Sequence, residues 1–175
     1  MKTILFLPVR DYFKSRKRLL LKFLIPLIVG VAVFFGAVLF NNNNALNSFS
    51  EFIGIQINIV AILLSFSVAI ITILVSADNS NITKLKETPS SAENYKPVNR
   101  KQLSLFQVML SSIAYNAVVE ITYLVLLIGV SLIKEIIPVG AIKYLTAFCV
   151  FVIVHVLYVL LESVAQMYLT FWEKK

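Results

Sequence analysis

The sequence predicts an all-α, polytopic membrane protein with four transmembrane helices, and three observations carry that prediction. Four apolar stretches, 19–40, 52–77, 104–133 and 139–161, run through a chain of 175 residues. At about 1.5 Å per helical residue, each is about as long as the ~30 Å hydrocarbon core of a bilayer. Of 16 Lys plus Arg and 9 Asp plus Glu, only Lys22, Glu120 and Lys143 fall inside those stretches. The sixteen cations are also one-sided: fourteen lie before the first stretch or at its start, between the second and third, or at the tail, against two, Lys134 and Lys143, elsewhere. A soluble domain carries roughly a quarter charged residues and breaks its apolar runs with polar faces. The strands of a membrane barrel alternate over about ten residues. Neither pattern is present.

The elements follow in order. Residues 1–18 form a basic N-terminal arm, with Arg16, Lys17 and Arg18 expected at anionic headgroups. Span one, 19–40, is expected to be retained, because the basic region runs to Lys22 and no small-x-small cleavage site follows before Asn41. Its Pro26 lacks an N–H and so frees the carbonyl of Lys22; Ala32 and Gly36 form a small-xxx-small pair. An Asn-rich outer loop, 41–51, leads to span two, 52–77. A cytoplasmic loop, 78–103, follows, with a short helix expected through Ile82, Leu85 and Lys86 and irregular chain around Pro89 and Pro97. Span three, 104–133, a tight outer turn, 134–138, and span four, 139–161, precede a cytoplasmic tail or helix extension, 162–175. Because Lys and Arg beside spans are held in the cytoplasm, the charge bias predicts that both termini and the 78–103 loop face that side. A protein partner would therefore dock there, on Lys84, Lys86, Arg100 and Lys101 as well as the arm. The net charge of +7 is accounted for by insertion and by membrane lipids, and no direct nucleic-acid binding is expected.

The chain is poor in reactive groups. Cys149 is its one cysteine and His155 its one histidine, so neither an intramolecular disulfide nor a zinc cage is available within one chain. No Gly-rich phosphate loop and no triad of nucleophile, base and acid is present. The expectation is a non-enzymatic protein without cofactor or metal.

The mid-span polar residues are more informative. In span two, Gly54, Asn58, Ala61, Ser65, Ala69 and Thr72 share an arc of about 80°. Such a face suits close helix packing, either within the chain or between subunits. In span three, Asn116, Glu120 and Tyr123 lie on one face, and an ionised Glu120 at mid-membrane would cost about 2.5 to 3.5 kcal/mol. It is expected to be protonated, paired or wet. In span four, His155 and Glu162 are seven residues apart on one face. These five residues are read as a polar seam between spans three and four, serving either to fix helix register or as a proton- or cation-responsive gate.

The N-in, C-in set of four spans, the short basic helix Ile82-Thr83-Lys84-Leu85-Lys86-Glu87, the acid in Asn116-Ala117-Val118-Val119-Glu120 and the lone histidine in Phe151-Val152-Ile153-Val154-His155 resemble, over roughly 52–170, a known group. They are similar to the KwaA-like membrane subunits of the bacterial Kiwa antiphage system and to the related RexB-type membrane subunit of the phage lambda exclusion system. The longer loop with Pro89 and Pro97 favours the Kiwa-like side. The resemblance implies an inner-membrane subunit of antiphage defence, a homo-oligomer and specifically a tetramer, that senses infection and anchors a cytosolic DNA-binding effector. On the phage-exclusion side it implies instead an oligomeric ion channel that depolarises the membrane.

Overall fold

The computed structural model describes residues 6–39, 45–76, 80–98 and 101–172. Regular structure among them is helical: α1 (Leu7–Ser15), α2 (Leu19–Leu39), α3 (Ala45–Ser76), α4 (Ser80–Glu87), α5 (Leu105–Ile133) and α6 (Val139–Trp172), with a 3-10 turn over Lys134–Ile136 between the last two. Of these, α2, α3, α5 and α6 are long and apolar enough to cross a membrane. Their outward positions are strongly apolar, with Leu20 88% and Leu132 81% exposed, which suits contact with acyl chains.

Two helices run further than their apolar stretches. α3 begins at Ala45 and α6 continues to Trp172. The polar residues Asn47, Ser48 and Glu51, and later Glu162 and Gln166, end the hydropathy signal but not the helix, because none of them breaks backbone hydrogen bonding. The chain divides into two compact units. One holds α1, α3 from Ser65, α4, the following loop, α5 to Val118 and α6 from Val159; the other holds α2 from Leu21, α3 to Leu64, α5 from Val119 and α6 to Tyr158.

In the second unit, Phe49, Ile53 and Val60 of α3 close on Tyr123 and Leu127 of α5 and on Ile142, Cys149 and Ile153 of α6. The α3 positions 49, 53, 56 and 60 step by four, three and four, a seam that keeps one helical face inward. α2 approaches α6 closely at Gly30, where a Cβ would stand 3.2 Å from the Ala147 carbonyl oxygen and 3.2 Å from Phe151 Cβ. Only a residue without a side chain fits that approach without movement. At Gly36, by contrast, a Cβ would meet nothing within 4 Å. Lys134 donates to Ser50 Oγ at 2.8 Å and ties the 3-10 turn to the start of α3.

In the first unit, Leu74, Ile82, Leu85, Met109 and Ile113 form a second apolar cluster, which seats the short helix α4. α5 begins with a reciprocal cap: the Ser104 N–H donates to Gln107 Oε1 at 3.0 Å, and the Gln107 N–H to Ser104 Oγ at 3.3 Å. The loop between α4 and α5, expected to be irregular, is organised by backbone pairing. The Ser90 N–H donates to the Leu103 carbonyl at 2.8 Å and the Leu105 N–H to the Thr88 carbonyl at 2.9 Å.

The small face of span two, read as suiting a contact within the chain or between subunits, is turned outward. Gly54, Asn58, Ala61, Ser65, Ala69 and Thr72 are all exposed, whereas Gln56 and Ser67 lie on the buried side. Within the chain α3 packs through its bulky face, where Phe49, Ile53, Val60 and Leu74 interlock with neighbours. Among the described residues a Cβ at Gly54 on this face would meet nothing within 4 Å, whereas close helix approach is found at Gly30.

Candidate functional site

The most concentrated polar chemistry in the first unit surrounds Arg16. This residue ends α1 and turns the chain into extended conformation, with φ −107° and ψ 141°. There it faces Tyr95 in a short antiparallel bridge. The Lys96 N–H donates to the Ser15 carbonyl at 2.7 Å and the Lys17 N–H to the Asn94 carbonyl at 3.0 Å, so the end of α1 and the loop hold each other. The Arg16 guanidinium points inward and is 2% exposed.

α6 and α5 each present a pair of side chains about one helical turn apart, and α1 and the loop each add a tyrosine. α6 offers Glu162, whose Oε1 accepts from Arg16 Nη1 at 2.8 Å, and Gln166, whose Nε2 donates to the same oxygen at 3.2 Å and to the Tyr95 hydroxyl. α5 offers Ser112, which accepts from Arg16 Nη2 and itself donates to the Val108 carbonyl at 2.8 Å, and Tyr115. α1 offers Tyr12, stacked on Tyr115 at 3.9 Å between ring centroids and 10° between planes. The guanidinium lies 4.2 Å from the Tyr12 ring centroid and 5.5 Å from that of Tyr95. The result is a charged head enclosed by one carboxylate, one hydroxyl and two aromatic faces, a set that suits arginine's flat, weakly hydrated cation better than lysine's.

Burial pushes the Tyr12 and Tyr95 phenols up from their ordinary range, and the Arg16 guanidinium only partly offsets this. Both rings stay neutral at physiological pH. The cluster holds no nucleophile paired to a base. Among the described residues no group of three His, Cys, Asp or Glu gathers to hold a metal. Its chemistry is that of a clamp: a cation fastening α1 and the loop to α5 and α6.

A second polar contact lies in the other unit. His155 hydrogen-bonds to the backbone of Lys22, whose carbonyl Pro26 leaves without its helical donor. The ring is stacked against Phe23, 4.5 Å between centroids and 13° between planes. Here a proline defect in one helix is repaired by a side chain of another. Nearby in the same unit, the Tyr123 hydroxyl donates to the Cys149 carbonyl at 3.0 Å and lies 3.4 Å from Gln56 Oε1.

Of the five residues of the expected seam, Tyr123 of span three reaches the Cys149 carbonyl of span four. Asn116, Glu120, Tyr123 and His155 are buried, and none of the four faces outward. Tyr123 and His155 find partners on α3, α6 and α2. Glu162 belongs to the Arg16 clamp in the other unit. Seven residues carry a helix about two turns, some 10 Å, along its axis, so a shared face does not mean a shared neighbour. Arg16 also departs from its expected role as a headgroup contact, because Glu162 and the tyrosines take up its cation. Lys17, Arg18, Lys84, Lys86 and Lys101 are exposed, and Arg100 lies outside the described residues. The aromatic half of the clamp was not anticipated. Its available signals were the i, i+4 pairs Tyr12–Arg16 and Glu162–Gln166.

No family model matches the chain, and neither does any curated protein or solved structure.

Removing one partner of a buried ion pair costs more than replacing both. Glu162→Gln should lower stability by about 3 kcal/mol, because it strands a cation with almost no access to water. Arg16→Met should cost less, since Glu162 is 22% exposed and can be hydrated. The double variant Arg16→Met with Glu162→Leu should recover most of the loss, as read from thermal unfolding in mild detergent. Simple additivity of the two losses would refute the clamp. In the second unit, His155→Phe should destabilise the wild-type background by about 1 kcal/mol, the net worth of a hydrogen bond. It should cost clearly less once Pro26→Ala returns an N–H to the Lys22 carbonyl. An equal cost in both backgrounds, measured by the same unfolding cycle, would dissociate His155 from the proline defect.

Proposed function

We propose that this chain is a non-enzymatic, multi-pass subunit of the bacterial inner membrane with both termini in the cytoplasm, acting in antiphage defence. It senses infection at the membrane and anchors a cytosolic DNA-binding effector. The observation that carries the reading is the surface of the first unit. Its described residues expose eight cations, among them Arg10, Lys14, Lys17, Lys84 and Lys96, against three carboxylates, Asp11, Glu87 and Glu93. A folded basic surface, pinned by Arg16, gives an acidic protein partner a rigid place to dock and speeds its encounter. The resemblance to Kiwa-type membrane subunits supplies the class of partner. The oligomer implied by that resemblance has an available contact in the outward face of α3, where Gly54, Ala61 and Ala69 allow close helix approach.

A second reading, an oligomeric channel that depolarises the membrane on infection, draws on the same face. Asn58, Ser65 and Thr72 are polar and exposed along it, and several copies turned toward a common axis would line a path with them.

Co-expression with the neighbouring gene product, followed by purification in mild detergent, tests the first reading. The wild type should retain a soluble partner, and Lys14→Glu with Lys84→Glu should lose at least tenfold of it while the membrane protein is recovered intact. Recovery of a bare monomer would overturn the proposal. Dye-reported membrane potential during infection separates the second reading, which requires depolarisation that Asn58→Leu diminishes; cells that stay polarised with the wild type would remove it.

A further inference from the structure

Two adjoining cavities in the first unit have opposite chemistry. The larger, about 500 Å³, lies between α1 and the beginning of α5. Its walls are chiefly apolar, with Leu7 and Pro8 from α1 and Leu103, Leu110 and Ala114 from the other side. The second, about 460 Å³, is lined by Lys86, Lys101, Gln102 and Ser104 and shares Val98, Leu103 and Gln107 with the first. Both volumes fall in the range of small-ligand sites, about 300–1,000 Å³.

The apolar cavity follows the first three turns of α5, a helix long and apolar enough to cross a membrane, so its polar end lies at the beginning of that helix. Beside it, α1 exposes Phe6 at 62% and Phe13 at 39%, the apolar edge of a helix lying in an interface. At the polar end, Lys86 is held with its ammonium 5.4 Å from the Phe106 ring centroid, and Lys101 is fixed by reciprocal backbone bonds with Val98 at 2.9 and 3.0 Å. One turn beyond Gln107, Ser111 lines the apolar cavity with a buried hydroxyl that has no hydrogen-bond partner among the described residues. Asp11 also lines the apolar cavity, on the α1 wall, and would repel an anion there. It sets the polarity of any occupant: negative charge toward the lysines, hydrocarbon toward Leu110 and Ala114.

We propose that the first unit binds one anionic phospholipid, with its phosphate between Lys86 and Lys101, an ester carbonyl at the Ser111 hydroxyl, and an acyl chain between α1 and α5. Two cations at one end and apolar walls leading along a membrane helix at the other match that amphiphile and suit neither a free anion nor a peptide. Burial of acyl methylenes supplies the affinity and the lysines supply headgroup selection.

Native mass spectrometry of the detergent-purified full chain, titrated with phosphatidylglycerol, tests the site. The wild type should bind one lipid tightly and phosphatidylcholine at least tenfold more weakly. Lys86→Gln with Lys101→Gln should weaken phosphatidylglycerol at least tenfold, as should Ala114→Trp, which fills the apolar cavity. The control Lys14→Gln with Lys84→Gln removes equal charge elsewhere and should leave binding unchanged. Equal weakening by that control would show ordinary annular attraction and overturn the site. Competition by inorganic phosphate would assign the lysines to a free anion and also overturn it. Should Ala114→Trp fail to fold, the lysine pair and its control decide alone.

Discussion

The structure of the first unit depends on the burial of one cation. In lipid, apolar side chains gain nothing by leaving acyl chains for one another, so helices are held by close approach and by polar contacts that have no better partner. Arg16 supplies such a contact at the end of a helix that is not itself a span. With its guanidinium 2% exposed, it must be satisfied from within, and its partners come from three other pieces of chain: Glu162 on α6, Ser112 on α5 and Tyr95 in the loop. Loss of Glu162 would leave a buried charge uncompensated, and loss of Ser112 would leave a buried guanidinium N–H without its acceptor. That penalty makes the arrangement cooperative, and it explains how a nine-residue helix and a loop rich in Pro and Ser keep a defined position.

In the second unit the same economy operates on neutral groups. Pro26 removes one helical hydrogen bond in α2, and within hydrocarbon the orphaned carbonyl of Lys22 would find no water. His155 meets it, and stacking on Phe23 holds the ring in place. Tyr123 likewise places its hydroxyl against the Cys149 carbonyl. Each of these side chains serves backbone geometry, which is why the one histidine and a mid-span tyrosine can be structural without any catalytic company.

How much of this was legible in the sequence follows from which forces leave a periodic trace. Span positions were readable because hydropathy over about twenty residues reports transfer into lipid directly. The freed carbonyl of Lys22 was also readable, since a proline's missing N–H is a local fact; its repair by His155 was not, because it depends on which helix lies alongside. The small face of span two was read as a packing face, within the chain or between subunits, and it faces outward. Small residues signal only that a helix can be approached, never by what. Arg16 was misjudged for a related reason. Seven cations crowd the N-terminal segment, and their shared role in orientation hides the one that folds inward. The Tyr12–Arg16 and Glu162–Gln166 spacings were visible, but nothing local joins residues 146 apart in the chain.

The distribution of polar groups bears on what a chain of this kind can do. Glu120, its one mid-span acid, is 0% exposed and enclosed by protein, so a single copy offers that carboxyl no open aqueous path. The polar groups that do face outward, Asn58, Ser65 and Thr72, lie on a helix face lined with small residues, where a second copy would cover them at little steric cost. A scaffold and a channel would therefore share the same subunit contact and differ in what the assembled faces enclose. The exposed cations add a constraint that falls on one side only: a basic surface that recruits a soluble acidic partner works whether or not the membrane part conducts, whereas conduction alone gives no reason to fold a loop and a short helix around a buried arginine. The clamp costs the desolvation of a cation, and what it gives in return is a fixed position for α1 and the loop against α5 and α6.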